Sequence, residues 1–91
     1  MTVKIWDITS FQCVKTLLGH EHTVSAALFL PGGDLIISAS RDKSIKLWEF
    51  STGFCKKTLC GHGEWVRSIT TTTDGRYIAS GSSDQDVIIW Q

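Results

Sequence analysis

Two stretches decide the fold: GHEHTVSAALFLPGGDLIISASRDKSIKLW at residues 19–48 and GHGEWVRSITTTTDGRYIASGSSDQDVIIW at residues 61–90. They align without a gap at an offset of 42. Trp6, Trp48 and Trp90 recur at that interval, as do Gly19 and Gly61, His20 and His62, Val24 and Val66, Gly33 and Gly75, Ser38 and Ser80, and Asp42 and Asp84. Further out, Cys13 and Cys55 keep the same spacing, so residues 8–49 and 50–91 are two copies of one unit. Residues 1–7, MTVKIWD, match the end of a preceding copy. A fixed period of this size marks a repeat architecture, in which each unit buries its apolar face only against its neighbours.

Within each copy the segments are short and rich in branched, aromatic and small residues. Val24–Leu30, Leu35–Ser40 and Ser44–Phe50 read as strands, and Gln12–Leu18 and its echo Cys55–Cys60 as a fourth type. Pro31-Gly32-Gly33-Asp34 and Thr73-Asp74-Gly75-Arg76 separate the first two strands of each copy, with Gly75 placed to supply a positive φ. No window shows a helical period, so nine strands and no helix are expected. Four antiparallel strands per roughly 40 residues is the arithmetic of one propeller blade. An immunoglobulin-like sandwich gives no reason for a strict internal copy.

At 91 residues the chain is one small domain at most, with a thin core of its own. Nine basic and nine acidic residues cancel, which argues against a nucleic-acid or membrane-surface role built on phosphate attraction. No apolar run reaches the roughly 20 residues that cross a bilayer, and no signal peptide opens the chain. A soluble, intracellular protein is expected. Cys13, Cys55 and Cys60 form no CxxC pair, so neither zinc nor a disulfide framework is signalled. They are expected as buried or half-buried free thiols. No metal or cofactor is implied.

The recurring polar residues need an explanation of their own. His20, Ser38, Asp42 and Trp48, and likewise His62, Ser80, Asp84 and Trp90, stand at identical spacings. A strand tryptophan that buries its ring still needs an acceptor for the indole N–H. A serine hydroxyl can accept from Trp and donate to His, whose other nitrogen can donate to Asp. Each set is therefore expected as a hydrogen-bonded tetrad that ties the histidine loop to the aspartate turn. A Ser–His–Asp triad is the competing reading. Catalysis would need an exposed serine on a strained turn, whereas Ser38 lies mid-strand and no G-x-S-x-G surrounds either serine. No catalytic residue is assigned.

These residues carry a resemblance. Gly19-His20 with Leu47-Trp48-Glu49, and Gly61-His62 with Ile89-Trp90-Gln91, are similar to the glycine–histidine and tryptophan–aspartate signatures of WD-repeat β-propellers, and Lys4-Ile5-Trp6-Asp7 shows the unmodified form. Glu49 and Gln91 depart from the usual Asp. The family implies an all-β fold of propeller blades and the same His–Ser–Asp–Trp tetrad. The stretches 37–49, 52–58 and 61–67 further resemble middle repeats of the lissencephaly-1-type family. That resemblance implies a non-enzymatic protein–protein scaffold that regulates cytoplasmic dynein and microtubule-based transport, cytoskeleton-associated in the cytoplasm. The other reading is a substrate-recruiting WD scaffold, such as a ubiquitin-ligase receptor.

In the WD arrangement the sequence repeat is offset from the blade. MTVKIWD then serves as a third strand, Gln12–Leu18 as an outer fourth, residues 24–60 as one whole blade, and residues 66–91 as three strands of another. Two repeats form an incomplete ring, so a piece of a longer propeller or a head-to-tail homo-oligomer is expected. Partner contacts are expected on the face where the histidine loops and aspartate turns emerge: Glu21, His22, Thr23, Arg41, Glu64, Trp65, Arg67 and Ser83. Trp65 stands where the first copy has Thr23, so the blade does not demand an aromatic there, and Trp and Arg are frequent interface anchors. Replacing Arg41 and Trp65 by alanine is expected to abolish partner capture and leave stability intact.

Overall fold

A computed structural model describes residues 2–84 and 87–90. Among these described residues nine strands run in order: β1 (Val3–Asp7), β2 (Gln12–Leu17), β3 (Val24–Phe29), β4 (Leu35–Ser40), β5 (Ser44–Glu49), β6 (Cys55–Cys60), β7 (Val66–Thr71), β8 (Ile78–Ser82) and β9 (Val87–Trp90). No helix occurs among the described residues. Strand ends differ by a residue from the sequence reading: Leu18, Leu30 and Phe50 leave the ladders as the chain turns. The departure at Gln91 lies outside the described residues.

The strands form three antiparallel sheets, β1-β2, β3-β4-β5-β6 and β7-β8-β9. Sheet boundaries are thus offset from the sequence repeat, as in the WD arrangement. Even the irregularities repeat. Register shifts fall between Ile5 and Trp6 and between Leu47 and Trp48, and again between Val24 and Ala26 and between Val66 and Ser68. Each pair of bulges is 42 residues apart, so the period is written into backbone geometry as well as residue type.

The middle sheet is covered on both faces. One side packs Ile36 and Trp48 on Ile5 and Leu17 of the β1-β2 sheet. The other packs Ile37, Ala39 and Ile45 on Val66 and Ile69 of the β7-β8-β9 sheet. Successive side chains of β4 therefore enter two different cores, which is why the strand reads as a nearly continuous apolar run. The outer sheets bury one face only, and Val87 and Ile89 on β9 stay exposed.

All three cysteines are exposed free thiols, which corrects the expectation of burial. Cys13 and Cys55 sit on outer strands β2 and β6, where only one edge is paired and few side chains reach a core. Lys56 and Lys57, also exposed on β6, place charge along that sheet edge, a protection against mispairing. β2 is paired along its length with β1, so β9 of a neighbouring copy could take that place only by displacing β1.

The hairpin turns carry a contrast between the copies. Gly53 adopts φ 76° and donates its N–H to the Glu49 carbonyl; Phe11, at the same place in the preceding hairpin, adopts φ 59° and donates to Asp7. A left-handed backbone costs a residue with a side chain roughly 1–2 kcal/mol. Phe11 recovers little of this by burial, being 82% exposed. Phe11→Gly is therefore expected to raise the unfolding free energy by about 0.5–1 kcal/mol in urea titration, after allowing for glycine's greater unfolded entropy. An unchanged or lowered midpoint would contradict this. Asp7 also closes its turn by accepting from the Thr9 hydroxyl and the Thr9 and Ser10 amides. The longer Glu49 accepts only the Thr52 hydroxyl in its hairpin, a looser version of the same turn.

Candidate functional site: two braced loops and an arginine–tryptophan cluster

Each histidine loop is joined to its strands by the same set of bonds. In the middle sheet Trp48 Nε1 donates to Ser38 Oγ at 2.8 Å, Ser38 Oγ lies 2.6 Å from His20 Nε2, and His20 Nδ1 lies 2.8 Å from Asp42 Oδ2. In the third sheet Trp90 Nε1 donates to Ser80 Oγ at 2.8 Å, Ser80 Oγ lies 2.7 Å from His62 Nε2, and His62 Nδ1 lies 3.2 Å from Asp84 Oδ2. The neutral histidine with its proton on Nδ1 satisfies every group: Ser donates to Nε2, and Nδ1–H donates to the carboxylate. Both rings are buried, and no buried side-chain nitrogen or oxygen among the described residues lacks a partner.

The aspartates also fasten the loop backbone, accepting the Glu21 amide in one copy and the Gly63 amide in the other, each at 3.0 Å. Burial pushes the Asp42 carboxyl upward. Hydrogen bonds from the Ser44 hydroxyl, His20 and the Glu21 and Ser44 amides outweigh it and lower its pKa from 3.8 to about 2. A carboxylate depressed on folding stabilises the native state above its unfolded pKa of about 4 and loses that contribution as pH falls through its folded value. Stability is therefore expected to decline between about pH 4 and pH 2, with the decline reduced in Asp42→Asn when followed by urea unfolding across that range. An equal decline in both proteins would remove Asp42 as the cause.

Two members escaped the sequence reading although they obey its period. Ser40 Oγ donates to the Thr23 carbonyl and accepts the Asp42 amide; Ser82 Oγ donates to the Trp65 carbonyl and accepts the Asp84 amide. Their offset of 42 was the available signal, hidden because a serine at a strand end reads as a turn residue. The glycine before each histidine is explained by the same packing. A Cβ on Gly19 would stand 3.0 Å from Trp48 Cη2, and one on Gly61 2.8 Å from Trp90 Cη2. Only a bare backbone leaves room for the indole.

The braced turns carry the expected contact residues. Arg41, Trp65, Arg67 and Ser83 come together in one cluster. The Arg41 and Arg67 guanidinium carbons lie 4.7 and 4.2 Å from the Trp65 ring centre, and Arg67 Nε donates to Ser83 Oγ at 2.6 Å. Trp65 is half-buried, and its Nε1 donates at 2.9 Å to Ser25 Oγ on the middle sheet, whose hydroxyl in turn donates to the Val66 carbonyl. Trp65 thus spans the seam between two sheets. No carboxylate among the described residues pairs with either guanidinium. The cluster is a cationic, aromatic surface. Glu64, Glu21, His22 and Thr23 are also exposed. His22 Nδ1 accepts the Thr23 amide, and no hydrogen bond, ion pair or ring contact among the described residues joins Glu21 or His22 to the Trp65 cluster.

The family model described as "WD domain, G-beta repeat" matches residues 11–49 and 53–91. Among curated proteins, the chain is similar to "Nuclear distribution protein nudF 1" of Talaromyces marneffei, with 50% identity over 46 residues, covering 50% of this chain and 10% of that protein. "Nuclear distribution protein PAC1" of Arthroderma otae is 43% identical over 54 residues, covering 50% and 12%, and the protein of that name from Coprinopsis cinerea is 61% identical over 31 residues, covering 34% and 7%. The matched part of the chain is thus about a tenth of the length of these relatives.

Proposed function

The chain belongs to the WD-repeat family, and from that premise we propose that it is a non-enzymatic scaffold for protein–protein contacts, with the cytoplasmic dynein motor as partner and a cytoplasmic, cytoskeleton-linked place of action. The observation that carries this reading is the Arg41–Trp65–Arg67 cluster, two guanidinium groups on one indole with no carboxylate partner among the described residues, in a chain similar to nuclear distribution proteins. Guanidinium and indole groups suit a partner surface that offers carboxylates beside apolar area. Absence of catalysis is supported by the serines: Ser38 is fully buried, and its hydroxyl is shared between an indole and an imidazole. A nucleophile needs access that this position lacks.

The geometry changes how the reading is tested. Trp65 holds a hydrogen bond and one cation–π contact across a seam, and a second cation–π contact to Arg67 of its own sheet, so its loss is expected to cost stability, on the order of 1–2 kcal/mol. The alanine pair at Arg41 and Trp65 therefore mixes binding with folding. Arg41→Glu keeps the indole and its seam bond. With purified dynein motor domain, Arg41→Glu is expected to weaken affinity by about tenfold or more while the thermal midpoint moves by less than a few degrees. Unchanged affinity would overturn the reading.

A further inference from the structure

Three serines stand at the end of β8, and two of them brace the fold. Ser80 is buried between the Trp90 indole and His62, and Ser82 bonds the Trp65 carbonyl and the Asp84 amide. Ser83 differs. It is exposed, and among the described residues its hydroxyl makes one hydrogen bond, accepting Arg67 Nε–H at 2.6 Å. The blade does not demand a hydroxyl there, because Arg41 occupies the same place 42 residues earlier. The backbone holds both positions alike: the Arg41 amide donates to the Thr23 carbonyl and the Ser83 amide to the Trp65 carbonyl, each at 2.9 Å. Both turn residues therefore serve one indole, Arg41 directly and Ser83 through Arg67. The residues after Ser83 are acidic. Ser83-Asp84-Gln85-Asp86 places carboxylates one and three residues beyond the hydroxyl, and no other serine or threonine of the chain has an acidic residue at both places. Serine kinases with a basic substrate groove select that pattern by charge.

We propose that Ser83 is a phosphorylation site whose phosphate is held by Arg67, and that the modification switches off the Arg41–Trp65–Arg67 surface. Its consequence for a partner rests on the docking function proposed above. An acid-directed serine kinase supplies the phosphoryl group from ATP. Ser83 Oγ attacks the γ-phosphorus, and the bond from phosphorus to the β,γ-bridging oxygen breaks. ADP leaves with that electron pair, and the hydroxyl proton passes to the kinase's catalytic carboxylate. The product adds about 1.5–2 negative charges at neutral pH, on an oxygen that already meets Arg67 Nε. Charge-assisted bonds from the guanidinium then hold the phosphate. The added charge offsets those of Arg41 and Arg67, so a carboxylate-bearing partner no longer meets a cationic surface.

The test uses the 91-residue chain, ATP and a purified kinase of the casein kinase 2 type. A single phosphoryl group on Ser83 is expected, located by mass spectrometry of proteolytic peptides and absent in Ser83→Ala. Phosphorus NMR then reads whether Arg67 holds it. A free phosphoserine exchanges its second proton with a pKa of about 6, and a neighbouring guanidinium favours the dianion. The titration midpoint is therefore expected to fall by about half a pH unit or more, and to return toward about 6 in Arg67→Gln. Against purified dynein motor domain, the phosphorylated chain is expected to bind about tenfold more weakly than the unmodified one. No modification of Ser83, modification that requires denaturant, or a midpoint indifferent to Arg67→Gln would overturn the inference. So would equal affinity of the two forms for the motor. Failure of the unmodified chain to bind the motor would overturn the docking function instead, and the phosphate titration would still decide whether Arg67 holds a phosphorylated Ser83.

Discussion

Replacing Trp48 by alanine is expected to lower the unfolding free energy by about 3–5 kcal/mol, the range for a large aromatic removed from a closed core. The ring is fully buried between the β1-β2 sheet and the middle sheet, in van der Waals contact with Gly19, and its N–H is held by Ser38. A chain of this length has a total margin on the order of 5–10 kcal/mol, so the variant should lose roughly 20 °C of thermal midpoint or fail to fold at 37 °C. Trp6 provides an internal control. It stands at the same place in the repeat but is mostly exposed, and Trp6→Ala is expected to cost less than about 1 kcal/mol. Similar losses in the two variants would show that burial between sheets is not what makes the repeated tryptophan important.

The second large effect comes from a single oxygen. Ser38→Ala removes almost no volume, yet it strips a partner from both the Trp48 indole N–H and the His20 Nε2 in a site closed to solvent. Each buried polar group left alone costs about 1–3 kcal/mol, so a loss of about 2–5 kcal/mol is expected in urea unfolding. Ser80→Ala should cost less, because Trp90 is only half-buried and water can replace the missing oxygen. Combining Ser38→Ala with Trp48→Phe should recover more than about 1 kcal/mol relative to additivity, since the phenyl ring makes no demand on the serine. Additive losses, or a neutral Ser38→Ala, would mean that the tetrad is incidental to stability.

Much of the site was legible in residue types and spacings. His20, Ser38, Asp42 and Trp48 have complementary donors and acceptors, and their recurrence as His62, Ser80, Asp84 and Trp90 excluded coincidence. Ser40 and Ser82 were equally periodic, yet nothing in a serine's chemistry says whether it bonds its own turn or the neighbouring loop. Trp65 was recognisable as unusual from Thr23 at the equivalent place, but as a free anchor; its tie to Ser25 and its position over the seam could not be foreseen from either residue alone. The cysteines were misplaced because a small apolar residue reads as core unless its strand is known to lie on an outer edge.

By itself, then, the chain's order of residues settled the 42-residue unit, the β-strands with their turns, and the chemistry of the brace, because these depend on local backbone preference and on which side chains can satisfy one another. Only the stacking of three sheets decided which of three equivalent tryptophans is buried, where the thiols lie, and that Arg41 and Arg67 meet on one indole. Burial and cross-sheet contact depend on what covers each face, and a repeat that writes the same residues into every blade carries no information about its neighbours.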